Sequence, residues 1–190
     1  MAKIFTIGHS NHKWNDFISI LKGKHVDVLV DVRRYPGSRA CPQFNKEQMT
    51  IELKKENISY MHIEKLGGRR KQSRYDDNNS GWKNEGFRAY ADYMATTSFR
   101  EGIGEVFSLM TNHNNLAIMC SEAVPWRCHR RMIADYLTLV EGIAVFDIVD
   151  SKHQPEPHQL TSFAHLTDSK IIIIYPEKNP QSNSTYPCDI

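Results

Sequence analysis

Short apolar runs alternate with helical patterns along most of this chain, and that alternation limits its fold more than any other feature. The clearest run is VDVLVDV at 26–32, which is β-branched and apolar in its middle. Between the runs, apolar residues recur at the i, i+3, i+4 and i+7 spacing of a helix with one buried face. Strands joined by helices predict right-handed crossovers and a parallel sheet covered on both faces. The predicted strands are Lys3–Ile7, Val26–Val32, Ile58–Ile63, Leu116–Met119 and Ile143–Ile148.

This pattern predicts an α/β fold: a single three-layer domain over residues 1–150, with a mostly parallel five-stranded sheet flanked by helices. The composition turns polar from Ser151, so residues 151–190 are expected to form a C-terminal extension with one short strand at Ile171–Tyr175 and a frayed tail, not a separate domain. With 190 residues, 40% of them hydrophobic, the chain is long and apolar enough for one core.

The cysteines and the apolar segments bear on where the protein works. Four scattered cysteines are too few for a disulfide framework in a chain of this length. The chain shows neither a leading signal segment nor an apolar run long enough to cross a membrane. We therefore expect a cytoplasmic protein with reduced thiols and no membrane contact.

The segment LAIMCSEAVPWRCHRR at 116–131 concentrates the reactive side chains. A strand is predicted to stop at Cys120, and Pro125 is predicted to open a helix that carries Cys128 and His129 in its first turn. Proline is favoured at the first helical position, and a helix that starts after a strand offers free N–H groups to an anion. The segment therefore predicts a reactive site beside an anion site.

Three residues of this segment are the catalytic candidates. Cys120 is either a nucleophile, since cationic groups and helix N-termini lower a thiol pKa, or a small packing residue that ends the strand. Glu122 is either a general base or nucleophile, or a cap on the following helix. His129 is either part of the reaction or a core histidine, and Cys128 is a candidate redox partner of Cys120.

Two other uses of these residues are less favoured by their spacing. Zinc could bind Cys120, Cys128 and His129, but Cys-x7-Cys-His lacks the close Cys-x2-Cys pair of structural zinc sites. We therefore expect no cofactor. A cysteine-phosphatase loop requires Cys-x5-Arg, whereas six residues separate Cys120 from Arg127.

Polar and basic residues follow the other predicted strands as well. Because the carboxyl ends of parallel strands share one sheet edge, these residues are expected to converge there. We expect them to bind an anion. The alternatives to anion binding are a backbone-bonded turn for His9, a salt bridge to Asp31 or Glu122 for Arg33, and a solvated basic loop from Arg69 to Arg74. Phe87, Tyr90 and Trp82 could stack on a base. The predicted anion-binding residues are His9, Ser10, Arg33, Gly67, Gly68, Arg69, Arg70 and Arg130.

Several segments resemble one known family. They are TIGHS at 6–10, DVRRYPGSR at 31–39, LGGRR at 66–70, GFRAYADYM at 86–94, MCSEAVPWRCHRRMIADYL at 119–137 and HQLTSFAHL at 158–166. Together they resemble the bacterial and archaeal family called domain of unknown function 488. The resemblance covers nearly the whole chain and implies the α/β fold and a site at the Cys-Ser-Glu…Cys-His-Arg segment.

The leading hypothesis is an enzyme that acts on a phosphate-bearing substrate, either a nucleotide or a nucleic acid. Cys120 or Glu122 would react, and Arg33, Arg69 and Arg130 would hold the anion. The alternatives are a non-catalytic nucleic-acid-binding protein that uses the Arg69–Arg74 loop, and a thiol redox sensor that uses Cys120 and Cys128.

Overall fold

Strands and helices alternate in the described part of the chain, residues 3–71 and 77–177 of a computed structural model. The helices are α1 (Trp14–Gly23), α2 (Lys46–Lys55), α3 (Glu85–Met94), α4 (Thr97–Met110) and α5 (Arg130–Leu139). The strands are β1 (Lys3–Gly8), β2 (Val28–Asp31), β3 (Ser59–His62), β4 (Asn115–Cys120), β5 (Val145–Ile148), β6 (Glu156–Pro157), β7 (His165–Leu166) and β8 (Ile173–Ile174).

The main sheet of the described residues has the strand order β3-β2-β4-β1-β5-β6. The first five strands are parallel, which confirms the predicted mostly parallel sheet, and β6 adds a short antiparallel edge strand beside β5. The strand expected near Ile171–Tyr175 is β8, which pairs with β7 in a separate antiparallel hairpin. The α/β class and the three layers are therefore as predicted, with one strand more than expected.

The sheet lies between two helical layers. Alternate residues of each strand point to opposite faces, so β4 divides its side chains between two cores. Ala117 and Met119 pack with the cluster that contains residues of α1 and α2, whereas Ile118 and Cys120 pack with residues of α3, α4 and α5. The Cys120 thiol is thereby directed toward the α5 side of the sheet.

The two central strands β1 and β4 are neighbours whose connections leave in opposite directions. From β1 the chain passes through α1 to β2, and from β4 it passes through α5 to β5, beyond β1. The α1 and α5 helices lie on opposite faces of the sheet. Such a switch point leaves a crevice outside the strand carboxyl ends, where α/β proteins bind ligands.

The helix that was predicted to open at Pro125 begins later in the structure. Pro125–Arg127 forms one turn of 3-10 helix, Cys128 is extended, and α5 begins at Arg130 with His129 as its N-cap residue. Cys128 and His129 therefore precede the helix instead of lying in its first turn. The short turn bends the chain back, so both side chains return toward the end of β4.

Side chains cap two of the helices. Asn84 accepts a hydrogen bond from the Phe87 amide at the start of α3, and Thr96 accepts one from Phe99 at the start of α4. Asn45 is the N-cap residue of α2, but its side chain accepts a hydrogen bond from the Ser38 amide at 2.6 Å and does not cap the helix. Asn45 therefore orders the loop after β2, next to the cavity described below.

The extension beyond β5 is attached to the core through α5. The Asp135 carboxylate accepts hydrogen bonds from the His158 ring, from the amide and hydroxyl of Thr161, and from the Tyr175 hydroxyl. Trp82 packs edge-on against Phe163 nearby. No helix in the described ranges is both long and apolar enough to span a membrane. The predicted tail beyond residue 177 lies outside the described residues.

Candidate active site

A cavity of about 440 Å³ opens at the carboxyl edge of the sheet. Each central strand supplies a residue of its wall: His9 follows β1, Arg33 follows β2 and Cys120 ends β4. The turns after β1 and β4 stay paired, because the His9 amide donates to the Cys120 carbonyl at 2.9 Å. The cavity therefore occupies the crevice that the strand order creates.

Gly8 allows these two turns to approach each other closely. A Cβ atom at this position would lie 1.7 Å from the Glu122 carbonyl oxygen, which no small movement could relieve. The same carbonyl accepts a hydrogen bond from the Arg130 guanidinium. The backbone of residues 121–123 is thus held from both sides, and this fixes the end of β4.

Two thiols and an imidazole meet on the inner wall of the cavity. Nδ1 of His129 lies 3.8 Å from the Cys120 sulfur and 3.7 Å from the Cys128 sulfur. The two cysteines are buried, with 5% and 4% exposure, and all three side chains line the cavity. Cys120, Cys128 and His129 are called the thiol–imidazole cluster below.

The orientation of His129 is set by its other ring nitrogen. Nε2 donates to the Val32 carbonyl at 3.0 Å, so a ring with one proton carries that proton on Nε2. The lone pair of Nδ1 then faces the two sulfurs. Gly68 packs beside this nitrogen, where a Cβ atom would come within 2.8 Å of Nδ1. The backbone around the ring therefore presents a free nitrogen to the thiols.

The two thiols differ in their acidity. The pKa of Cys120 lies well below its usual value because the Cys128 thiol hydrogen-bonds to its sulfur, because His129 and Arg130 lie nearby, and despite burial. Burial raises the pKa of Cys128 well above its usual value, and the negative charge on Cys120 adds to this effect. Cys120 is therefore the more acidic of the two thiols.

Cationic and aromatic side chains form the outer wall. Arg34, Arg69 and Arg127 line the cavity, and no described group accepts a hydrogen bond from the Arg69 or Arg127 guanidinium. Arg69 has a φ of 54°, a left-handed conformation that non-glycine residues seldom adopt and that clusters at functional sites. The outer wall is therefore positive and carries two arginines with free donors. Tyr35 and Phe87 add ring surfaces to it. Tyr90, which was expected to stack on a base, is fully buried and donates its hydroxyl to the Leu66 carbonyl.

His9 and Arg33 take part in a hydrogen-bond network under the cavity. Arg33 binds both Asp31 oxygens and the Phe44 carbonyl, and its remaining nitrogen lies 3.1 Å from Nε2 of His9. Burial and the Arg33 charge lower the pKa of His9, whose Nδ1 is bonded to the Ser10 carbonyl. Both residues line the cavity, but most of their hydrogen-bonding groups already have partners within the protein. These contacts are the backbone-bonded turn and the salt bridge to Asp31 that were the alternatives to anion binding.

Four predicted anion-binding residues lie outside the cavity lining. The Arg130 side chain is fully buried and donates to the Glu122 and Ala123 carbonyls. Arg70 donates to the carbonyls of residues 64, 65 and 67. Gly67 packs against the Arg34 backbone, and Ser10 is a turn residue with a φ of 45°. These residues shape the site without facing it.

Glu122 lines the cavity with an exposed side chain, and no described residue donates a hydrogen bond to its carboxylate, so it does not cap a helix.

The sequence analysis did not identify Arg34 and Arg127 as cavity residues, although each is adjacent in the sequence to a predicted site residue. Trp82, which was expected to offer a stacking face, is 8% exposed and packs in the core with Tyr175. Arg74 and Cys188 lie outside the described residues.

Comparison with known protein families gives a match. Residues 13–137 fit the model of the family described as "Domain of unknown function DUF488". The matched segment contains the thiol–imidazole cluster and the three outer arginines, and it ends before the extension that carries His158. No curated protein and no solved structure matches the chain.

Proposed function

Since this chain belongs to the DUF488 family, we propose that it is an enzyme which acts on a phosphate-bearing substrate, a nucleotide or a nucleic acid, bound in this cavity. The reaction would take place at the thiol–imidazole cluster. The observation that carries the proposal is the division of the cavity into a buried inner wall with reactive groups and an outer wall with free cations.

The charge and size of the cavity favour such a substrate. Arg34, Arg69 and Arg127 share the cavity lining with one carboxylate, that of Glu122, and the charge of Arg33 is neutralised by Asp31. Guanidinium groups match phosphate oxygens in geometry and retain their charge at any working pH. A volume of about 440 Å³ lies in the range of small-molecule sites. The aromatic rings of Tyr35 and Phe87 offer surfaces to a base.

The inner wall favours an enzyme over a binding protein. A protein that only binds nucleic acid needs cations and stacking surfaces, and it gains nothing from two adjacent thiols and an oriented imidazole. These groups are buried and yet reach the cavity, which brings a bound substrate next to them while excluding bulk water. Glu122, which lines the same cavity with an exposed side chain, has a carboxylate that can accept a proton.

The direct test is ligand binding to the intact chain. We expect ADP to bind more tightly than adenosine, which has the same base and sugar without phosphate. Replacing Arg69 and Arg127 by alanine is expected to weaken ADP binding about 10-fold or more, as the loss of two charge-assisted hydrogen-bonding partners implies. Isothermal titration calorimetry measures both comparisons.

A matched control separates site-specific contacts from overall charge. Lys3→Ala with Lys54→Ala removes the same two charges from exposed positions at the start of β1 and near the end of α2, outside the cavity lining. This variant is expected to bind ADP as the wild type does. Equal affinities for ADP and adenosine, or equal losses in the two double variants, would contradict the proposal.

A thiol redox sensor is a second candidate that one observation favours. The sulfurs of Cys120 and Cys128 lie within 4.8 Å of each other, close enough for side-chain rotation to join them. Hydrogen peroxide would oxidise one thiolate to a sulfenic acid, and the second thiol would displace water to form the disulfide. Peptide mapping after peroxide treatment and again after reduction tests this candidate, and no Cys120–Cys128 linkage would reject it.

A further inference from the structure

The thiol–imidazole cluster has the arrangement of a metal site. We propose that Cys120, Cys128 and His129 bind one zinc ion, and that the fourth coordination position opens into the cavity. This inference rests on the proposed function, because the ion would then hold the water molecule or phosphate oxygen that takes part in the reaction. It assigns the two cysteines as ligands rather than as a nucleophile and its partner.

The distances within the cluster fit a tetrahedral ion. Zinc bonds of about 2.3 Å to sulfur and about 2.0 Å to nitrogen place those two ligand atoms about 3.5 Å apart in a tetrahedron. The observed separations between Nδ1 of His129 and the two sulfurs are 3.8 and 3.7 Å. All three donor atoms lie within 4.8 Å of one another. Small side-chain rotations would bring them onto one ion.

The second ring nitrogen of His129 is arranged as in zinc proteins. Metal-binding histidines usually donate their other N–H to a carboxylate or a backbone carbonyl, which fixes both the tautomer and the ring plane. Here Nε2 donates to the Val32 carbonyl at 3.0 Å. The lone pair of Nδ1 is left pointing at the sulfurs, and it has no hydrogen donor other than those thiols among the described residues.

The number of ligands indicates a reactive ion and not a structural one. Structural zinc sites close with four protein ligands, whereas catalytic sites use three and leave a position for water or substrate. In the described ranges the cluster contains three donors, and all three line the cavity. Glu122 lines the same cavity, where its carboxylate can take a proton from a zinc-bound water.

Charge balance also favours a divalent cation. Two thiolates offset the charge of one zinc ion, so the metal and its sulfur ligands add no net charge beside the buried Arg130 guanidinium. Arg130 lies behind the cluster with its guanidinium engaged by two backbone carbonyls. Gly68 adds no side chain beside Nδ1, where a Cβ atom would crowd the ion.

Cobalt titration of the chelator-stripped full chain tests the site. Co²⁺ replaces zinc in tetrahedral sites and, when bound by thiolates, gives intense visible and near-ultraviolet absorption. We expect one Co²⁺ per chain with the spectrum of a two-sulfur site, and its displacement by Zn²⁺. Cys128→Ser and His129→Ala are each expected to weaken Co²⁺ binding at least about 100-fold, the upper end of the effect of losing an outer-shell partner.

Cys41→Ser is the matched control. Cys41 is a free, partly buried cysteine in the loop after β2, and it is not part of the cluster. This variant is expected to bind Co²⁺ like the wild type. A wild-type chain without thiolate-to-cobalt absorption, or a Cys128→Ser variant with unchanged affinity, would overturn the zinc proposal.

A measurement on the wild type keeps the test valid if a cluster variant fails to fold. Saturating Zn²⁺ is expected to protect Cys120 and Cys128 from iodoacetamide while Cys41 is still alkylated, as read by peptide mass spectrometry. Equal alkylation with and without Zn²⁺ rejects the site. ADP binding without cobalt binding would reject the metal site and retain the proposed function, with Cys120 as the nucleophile. Cobalt binding without any ADP binding would reject that function and retain the metal site.

Discussion

His129 and His158 both contact α5, His129 as its N-cap residue and His158 through Asp135, yet their hydrogen-bond partners differ in kind. Both nitrogens of His158 are bonded to carboxylates, with Nδ1 2.8 Å from Asp147 and Nε2 3.0 Å from Asp135. His129 has one nitrogen on a backbone carbonyl and the other facing two thiols. The first arrangement satisfies every group, while the second leaves a lone pair beside a cavity.

This difference separates a histidine held in a structural network from one that the proposed function places at the reacting site. The His158 network joins β1, β5, α5 and the extension, because Thr6 also donates to Asp147 and Tyr175 donates to Asp135. Its side chain is 2% exposed and its partners hold it rigidly. The thiol–imidazole cluster instead offers donor atoms at a surface that a ligand can reach. The predictions below test this division, beginning with the largest expected effect.

Asp135→Ala is expected to destabilise the fold by about 3–5 kcal/mol, because it leaves a buried histidine charge without one of its two partners. The loss also removes the acceptor of Thr161 and Tyr175. Urea unfolding followed by circular dichroism measures the change. Asp150→Ala is the control, since Asp150 pairs with His153 on the surface and its removal should leave the unfolding midpoint nearly unchanged. Similar midpoints for the two variants would argue against a structural role for the His158 network.

Stability is also expected to depend on pH through His158. Burial lowers the pKa of His158, but the hydrogen bonds that its ring donates to the Asp135 and Asp147 carboxylates outweigh burial and raise this pKa from 6.5 to about 9. A histidine whose pKa is raised by folding contributes its full stabilisation below pH 6.5, and this is lost as the pH rises through about 9. Over that range the unfolding free energy should fall by up to about 1.4 kcal/mol per pH unit.

His158→Gln provides the comparison for this pH dependence. Glutamine keeps one hydrogen-bond donor but cannot gain a proton, so the variant should be less stable at pH 6 and nearly independent of pH between 6.5 and 9. Urea midpoints at several pH values give both slopes. An equally steep decline in the variant would assign the effect to other titrating groups.

Much of the fold could be predicted from the sequence, because local patterns determine it. The β-branched run at 26–32 and the apolar run at 116–119 fall on β2 and β4, and the stripe that begins at Trp14 falls on α1. The start of α5 was predicted too early because a proline favours the first position of a 3-10 turn as well as that of an α-helix.

The site was harder to predict, since it depends on which atoms face each other across the chain. Spacing alone argued against zinc at Cys120, Cys128 and His129, because the usual rule counts residues between neighbouring ligands. A 3-10 turn and an extended Cys128 bring the second cysteine back beside the first, and this cannot be read from spacing. In the same way, Arg69 and Arg70 are equivalent in the sequence but differ in their contacts.

Arg70→Ala is expected to destabilise the fold by about 1–2 kcal/mol, as the loss of several hydrogen bonds and a cation–π contact implies. Its guanidinium donates to three carbonyls and lies 3.7 Å from the centre of the Tyr93 ring. ADP affinity should stay within about twofold of the wild type. Thermal unfolding and calorimetry measure the two quantities, and a large loss of ADP affinity with unchanged stability would reverse the assignment.

Arg69 is expected to behave in the opposite way, with the smallest effect on stability. Its guanidinium has no acceptor among the described residues, and its φ of 54° strains the backbone. Arg69→Gly should relieve up to about 1 kcal/mol of that strain, partly offset by the entropy that glycine adds to the unfolded chain. Arg69→Ala keeps the strain and removes the same charge.

Both Arg69 variants should weaken binding of ADP and of a single-stranded oligonucleotide. The slope of log affinity against log salt concentration for the oligonucleotide should decrease in magnitude by about 0.7 for one lost phosphate contact. Salt titrations of wild type, Arg69→Ala and Arg70→Ala measure this directly. A salt slope that changes equally in Arg69→Ala and Arg70→Ala would show that the loop acts through its overall charge. It would contradict the distinction between Arg69, which lines the cavity, and Arg70, which bonds to backbone carbonyls.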